Sequence, residues 1–197
     1  MSRKRGTTAP PKHPATTGAL GGCMARSDVK LTGIERTFGS DEIIVSKTDP
    51  KGRLIYANEV FLRLADYSEA EIIGKPHNVI RHPDMPRAIF KLLWETIQSG
   101  KECFAYVLNR SKTGDHYWVL AHVTPTLDSA GEIVSYHSNR RVPKRESVAK
   151  AVALYAELTS IERGVEDRKI GMENAYKALT DKLLTLGVPY DEFVFAL

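Results

Sequence analysis

Apolar and polar positions alternate in two registers along this chain, and the switches between them mark out its elements. Glu42-Ile43-Ile44-Val45-Ser46-Lys47-Thr48 reads as a strand, Asp49-Pro50-Lys51-Gly52 as a turn, and Arg53 to Ala57 as the returning strand of a hairpin. Asn58 then caps a short helix over Glu59 to Ala65, with Phe61, Leu62 and Leu64 apolar. Ser68 and Glu71 form a Ser-x-x-Glu capping box that opens a further turn of helix, stopped by Gly74. The strongest helical period runs from Met85 to Gln98: Ile89, Leu92, Leu93, Thr96 and Ile97 share one side, and Gly100 ends it. Three strands come next, Cys103 to Ser111, His116 to Thr126 and Ile133 to Arg141, with polar turns between them. This order predicts an α+β fold, a single five-stranded antiparallel sheet with short helices on one face. A pocket between sheet and helices is then the natural ligand position.

Beyond Arg141 the pattern becomes purely helical. Glu146 to Arg163 carries Val148, Val152, Tyr155, Leu158 and Ile161 at near-helical spacing, and Lys169 to Leu186 carries Met172, Tyr176, Leu179, Leu183 and Leu186. Gly187-Val188-Pro189 stops the second helix. These stripes predict either a homodimer and output arm, with the stripes covered by a second copy, or helices packed back on the sheet as extra core. No kinase signature, methyl-accepting hairpin or DNA-reading module comes after them, so output is expected to pass through a partner protein or through these helices.

One stretch fits neither period. Gly74 to Pro86 holds Pro76, Pro83 and Pro86 together with His77, Asn78, Arg81, His82 and Asp84. Proline lacks the N–H that a regular element needs, so this is an irregular polar turn set directly before a helix. Such a turn can offer several side chains to a ligand while the helix holds it still. The alternative is a solvated connection in which Asp84 only caps the helix.

Charge changes the picture less than the pI of about 9.0 suggests. Residues 1–27 carry Arg3, Lys4, Arg5, Lys12 and Arg26 and no acid, while the rest of the chain holds 23 basic against 24 acidic groups. The basicity therefore belongs to a Pro/Thr/Gly/Ala-rich tail, expected to be disordered, and a nucleic-acid partner is not expected. Met24 is an alternative start, and the broken apolar stretch from Ala15 to Ala25 does not read as a secretory signal. No run approaches the roughly eighteen apolar residues of a membrane span. Cys23 and Cys103 make no disulfide framework, which suits a reducing cytoplasm.

A family resemblance becomes specific at this point. Asp49-x-x-Gly-x-Leu-x-Tyr-Ala-Asn58 with Phe61 looks like the opening of a PAS domain, and Tyr67-Ser68-x-x-Glu71-Ile72-x-Gly74 is similar to the next segment of many such domains. Gly74-Lys75-Pro76-His77-Asn78, Arg81-His82-Pro83-Asp84-Met85-Pro86, Asn109-Arg110 and Gly114-Asp115-His116-Tyr117-Trp118-Val119 together resemble the sensor domain of Aer-type aerotaxis receptors. The match spans about Asp41 to Arg141 and, with the composition of the tail and the helical period after Arg141, divides the chain into a disordered basic tail over 1–27, a PAS sensor over 28–143 and a helical dimerisation or output segment over 144–197.

The resemblance implies non-covalent FAD as the cofactor, its redox state as the signal, and no catalysis on a substrate. The family's flavin-binding stretch falls on Arg81, His82 and Asp84, with His77 and Asn78 just before it. Asn109 sits where LOV-type PAS domains place an Asn at the flavin edge. No cysteine stands in the turn, so a light-driven adduct is not expected. Other PAS sensors hold haem through a His near this turn, which makes His77 and His82 axial-ligand candidates. Two further alternatives are a ligand-free interaction scaffold and a small flavoprotein oxidoreductase. Trp94 and Trp118 are expected to pack rather than clamp a cofactor. No metal site is expected, since His116 and His122 are too far apart on one strand to share an ion.

Overall fold

The computed structural model describes residues 29–197. The expectation of a disordered tail, and Cys23 within it, lie outside that range.

Five strands form one antiparallel sheet in the order β2-β1-β5-β4-β3. They are β1 (Ile44–Thr48), β2 (Leu54–Ala57), β3 (Cys103–Arg110), β4 (His116–Leu127) and β5 (Ile133–Arg141). The hairpin and the three-stranded meander expected from the alternation are both present, and β5 joins them by pairing with β1 through Ile44 and Arg140 at one end and Thr48 and Tyr136 at the other. Gly52 makes the β1–β2 turn possible: its φ of +76° is costly for any residue with a Cβ.

Between β2 and β3 lie α1 (Glu59–Ala65), α2 (Glu69–Ile72) and α3 (Arg87–Gln98). The Asn58 side chain accepts from the Phe61 amide, and the Ser68–Glu71 capping box is formed. Pro86 is extended with ψ near 140°, so α3 starts at Arg87 rather than at Met85. Inside the polar turn, His77–Ile80 forms a single 3-10 turn that the sequence pattern did not announce. Phe61, Ile72, Ile80, Met85, Ile89 and Ile97 are buried, and they fill the space between these helices and the sheet.

Three C-terminal helices complete the chain, α4 (Arg145–Arg163), α5 (Arg168–Leu186) and α6 (Tyr190–Ala196). The last was not expected, because Pro189 read as a stop; it is also the N-cap of α6. Tyr155 of α4 donates its hydroxyl to the Tyr106 carbonyl of β3 at 2.5 Å and stacks on Trp118 of β4. Phe195 of α6 packs on Phe104. Tyr106, Trp118 and Phe104 belong to the strand parity opposite to Val107 and Asn109, so α4 and α6 cover the sheet face away from α3.

α4 and α5 pair as a hairpin, and α5 packs on α3. The hairpin thus reaches past the β3 edge from the outer face to the inner one. Val148, Tyr155, Leu158, Leu179 and Leu183 are buried within this single chain. That corrects the motive for a dimer through these stripes: the surface expected to seek a second copy is already covered, and only Val152 and Leu186 of the named positions stay exposed. Among the described residues no helix is long and apolar enough to cross a membrane.

Candidate cofactor pocket

Between α3 and the sheet lies a cavity of about 490 Å³, within the range of pre-formed small-molecule sites. One wall is α3 through Phe90, Leu93, Trp94 and Ile97; the floor is the inward parity of β3, β4 and β5; the polar turn closes one end through His77, Asn78 and Arg81. Trp94 meets Tyr136 edge-on with ring centroids 5.4 Å apart, and its ring packs over Gly52, where a Cβ would stand 3.0 Å from the indole. Both tryptophans pack, Trp94 on Tyr136 and Gly52 and Trp118 on Tyr155 of α4, and Trp94 also forms part of the cavity wall.

The polar groups here are unusual in having spare capacity. Asn109 Nδ2, Ser138 Oγ and Arg140 Nη1 are buried without a hydrogen-bond partner, and all three residues line the cavity. Arg140 is 3% exposed. Its Nη2 donates to Ser46 Oγ at 2.7 Å and to His77 Nε2 at 2.6 Å, and no carboxylate among the described residues pairs with it. Burial lowers its pKa to about 10, so it remains a cation at neutral pH. Burial first, and then the Arg140 charge, push His77 down to about 3, so this imidazole is neutral.

Arg81 is tied into the wall. Its Nη2 donates to the Met85 carbonyl at 2.9 Å, its guanidinium stacks 4.4 Å from the Phe90 ring centre, and its backbone pairs with Asn109. The turn and β3 are therefore locked together at the residue whose amide faces the cavity.

Of the six residues singled out by sequence, His77, Asn78, Arg81 and Asn109 line the cavity; His82 and Asp84 do not. His82 is buried on the other side of the turn, edge-on to His116 with centroids 6.0 Å apart, and burial depresses its pKa. The Asp84 carboxylate is exposed and pairs with Arg163 of α4 at 2.9 Å. Nor does Asp84 cap α3, whose N-cap is Pro86. Successive residues of a tight turn point in different directions, so a contiguous motif splits between two faces. Sequence reasoning missed Ser46, Ser138 and Arg140 as site residues. The available signal was strand parity: Tyr136, Ser138 and Arg140 alternate onto one face of β5, and two of the three are polar.

The arrangement offers donors and a cation to an acceptor-rich ligand with flat apolar faces. The described residues contain no group of His, Cys, Asp and Glu able to hold a metal ion. Burial raises the Cys103 thiol to about 12, which leaves it unreactive.

Comparison with known proteins agrees with this fold. Residues 54–140 match the PAS fold family. The aerotaxis receptor of Escherichia coli (strain K12) is 37% identical over 123 residues, covering 62% of this chain and 24% of that protein. The nitrogen fixation regulatory protein of Klebsiella oxytoca is 28% identical over 99 residues, 50% of this chain and 20% of that protein. This chain thus spans a quarter or less of either relative. Among solved structures, the light state of the LOV domain of the blue-light photoreceptor Aureochrome1 superposes with a TM-score of 0.50 at 28% identity, covering 58% of this chain and 91% of that one. The segment from Leu54 to Arg140 is a PAS domain, similar in sequence to part of an aerotaxis receptor.

Proposed function

We propose that this chain is a sensor of redox state or oxygen that holds FAD non-covalently in the cavity and passes its state to a signalling partner. The observation that carries this reading is the set of unpartnered buried polar atoms, Asn109 Nδ2, Ser138 Oγ and Arg140 Nη1, around an otherwise apolar space. Each such atom costs about 1–3 kcal/mol when left unsatisfied, a penalty that a ligand with several acceptors removes. A flavin supplies a flat ring with acceptors along one edge and takes up electrons and charge on reduction.

The protein's side of the chemistry comes from its own groups. Trp94, Leu93 and Ile97 offer apolar surface to a ring face, and Asn109 and Ser138 offer hydrogen bonds to its edge. Arg140, cationic and buried, holds negative charge and so favours the reduced ligand. Arg81 brings a second guanidinium to the cavity wall, whereas Arg87 and Lys91, on the same wall, are paired with Glu162 and with Glu95 and Glu173. Ser138 and Arg140 stand on β5, which runs directly into Arg141 and, four residues on, into α4. A changed hydrogen bond at either residue has a short path to the C-terminal helices, with no reaction on a substrate.

A cytoplasmic setting and a protein partner belong to the same proposal. A homodimer is retained only through surfaces other than the buried helix stripes. The haem alternative has less support, since His77 Nε2 is engaged by Arg140 and His82 lies off the cavity. The test is flavin occupancy, read from the visible absorption bands, in Asn109→Ala and Arg81→Ala. A buried charge-assisted bond is worth roughly 1.5–3 kcal/mol and a neutral one about 0.5–1.5 kcal/mol, so losing Arg81 weakens FAD binding by more than about tenfold and losing Asn109 by up to about tenfold. Parental occupancy in both variants contradicts the assignment.

A further inference from the structure

The family match ends at Arg140, but the cavity does not. Met172, on α5, stands on its wall with Arg87, Phe90 and Lys91. α5 and the end of α4 are held to α3, the helix that forms the long wall. Glu162 is only 8% exposed; it accepts the Ala88 backbone N–H at 2.8 Å and Arg87 Nε at 3.0 Å. Tyr176 donates to Glu95 at 2.7 Å, and Lys91 bridges Glu95 and Glu173 at 2.6 and 3.5 Å. Gly171 permits the crossing of α4 and α5, since a Cβ there would collide with the Glu162 carbonyl oxygen. The Glu162 carboxylate therefore fixes the end of α4 on α3, and the close packing of its backbone on Gly171 carries α5 with it.

We infer that the ligand site is completed from outside the PAS domain: α5 is one of its walls, Met172 is a ligand-contact residue, and Glu162 is the positioning residue that holds α5 there. This rests on the cavity being a ligand site and extends that reading to the C-terminal hairpin. A polarisable thioether packs well against an aromatic ring, so Met172 suits a ligand that presents a flat face to α5. Coupling is reciprocal. Whatever free energy the ligand gains from a docked α5, the docked α5 gains from the ligand.

The experiment uses the full chain loaded with FAD and tracks flavin release by fluorescence. Met172→Ala is expected to speed release roughly tenfold, and the volume-conserving Met172→Leu to restore most of the parental rate. Glu162→Ala is expected to speed release as well and to speed protease cleavage at the already exposed connection over residues 164–167. Glu162→Gln, which keeps an acceptor for the Ala88 N–H, is expected to rescue both. In the parent, saturating FAD is expected to slow that cleavage. Parental release rates in both alanine variants overturn the inference. If the parent takes up no FAD, the flavin reading fails on its own, and the wall is then tested with anilinonaphthalene sulfonate as the cavity probe. Weaker probe binding in Met172→Ala and Glu162→Ala still supports the wall; unchanged binding overturns it.

Discussion

Arg140 Nη2 lies 2.6 Å from His77 Nε2, so the arginine donates, the imidazole accepts there, and the ring proton sits on Nδ1. The pair joins the last strand of the PAS domain to the polar turn and sets the charge of the cavity: one buried cation beside one neutral histidine.

The first prediction concerns Arg140 itself. A buried cation without a carboxylate partner costs desolvation free energy that an apolar side chain of similar length does not. Arg140→Met is expected to raise the melting temperature of the ligand-free protein while lowering FAD affinity more than tenfold. Thermal scans and flavin titration check the two halves. A variant that is less stable yet binds normally contradicts the role assigned to Arg140.

The pH dependence originates in His77. Its folded pKa, about 3, lies below the ordinary value of 6.5, so the unfolded chain binds more protons between those limits. The stabilisation by neutral His77 is therefore complete above pH 6.5 and is lost as pH falls toward 3. Between pH 7 and pH 5 this single group removes at most about 2 kcal/mol, less where water in the cavity screens it. His82, also depressed by burial, acts in the same direction. His77→Gln is expected to flatten the curve, measured by urea unfolding across that range. Because Arg140 is the second cause of the shift, Arg140→Met is expected to raise the His77 pKa, read by NMR titration.

A third prediction separates the two halves of the polar motif. Arg81→Ala removes a group on the cavity wall and is expected to reduce FAD retention; Asp84→Asn removes a carboxylate that faces α4 and is expected to leave retention unchanged. The exposed Asp84–Arg163 pair is worth at most about 1 kcal/mol, so its loss is also expected to leave the melting temperature nearly unchanged. Flavin loss in Asp84→Asn alone would reverse the placement.

Much of the fold was legible because local chemistry and tertiary structure agree. Asn58 caps the helix it precedes, the Ser68–Glu71 box forms, and Ile133 to Arg141 is a strand with the bounds its alternation suggested. The features that were not legible have physical reasons. An apolar helix stripe says that a face will be covered but not by which surface, so α4 and α5 fit a second copy on paper, whereas β3, β4 and α3 of the same chain cover them. Pro189 is equally a stop and a start, which hid α6. In the site, residue types in the Gly74–Pro86 turn were readable, but the direction of each side chain was not, and this separated His82 and Asp84 from His77 and Arg81. Arg140 reads in the sequence only as the exit from β5, although its parity with Ser138 turns it inward.

Asn109 Nδ2, Ser138 Oγ and Arg140 Nη1 are the unpartnered donors through which the cavity is proposed to hold a flavin. The most direct measurement is the visible absorption spectrum of the full chain, purified and then incubated with FAD and desalted, beside Asn109→Ala and Arg140→Met treated the same way. Flavin bands retained by the parent and lost from both variants are the predicted result. A colourless parent, a haem Soret band, or equal flavin in all three would contradict the account.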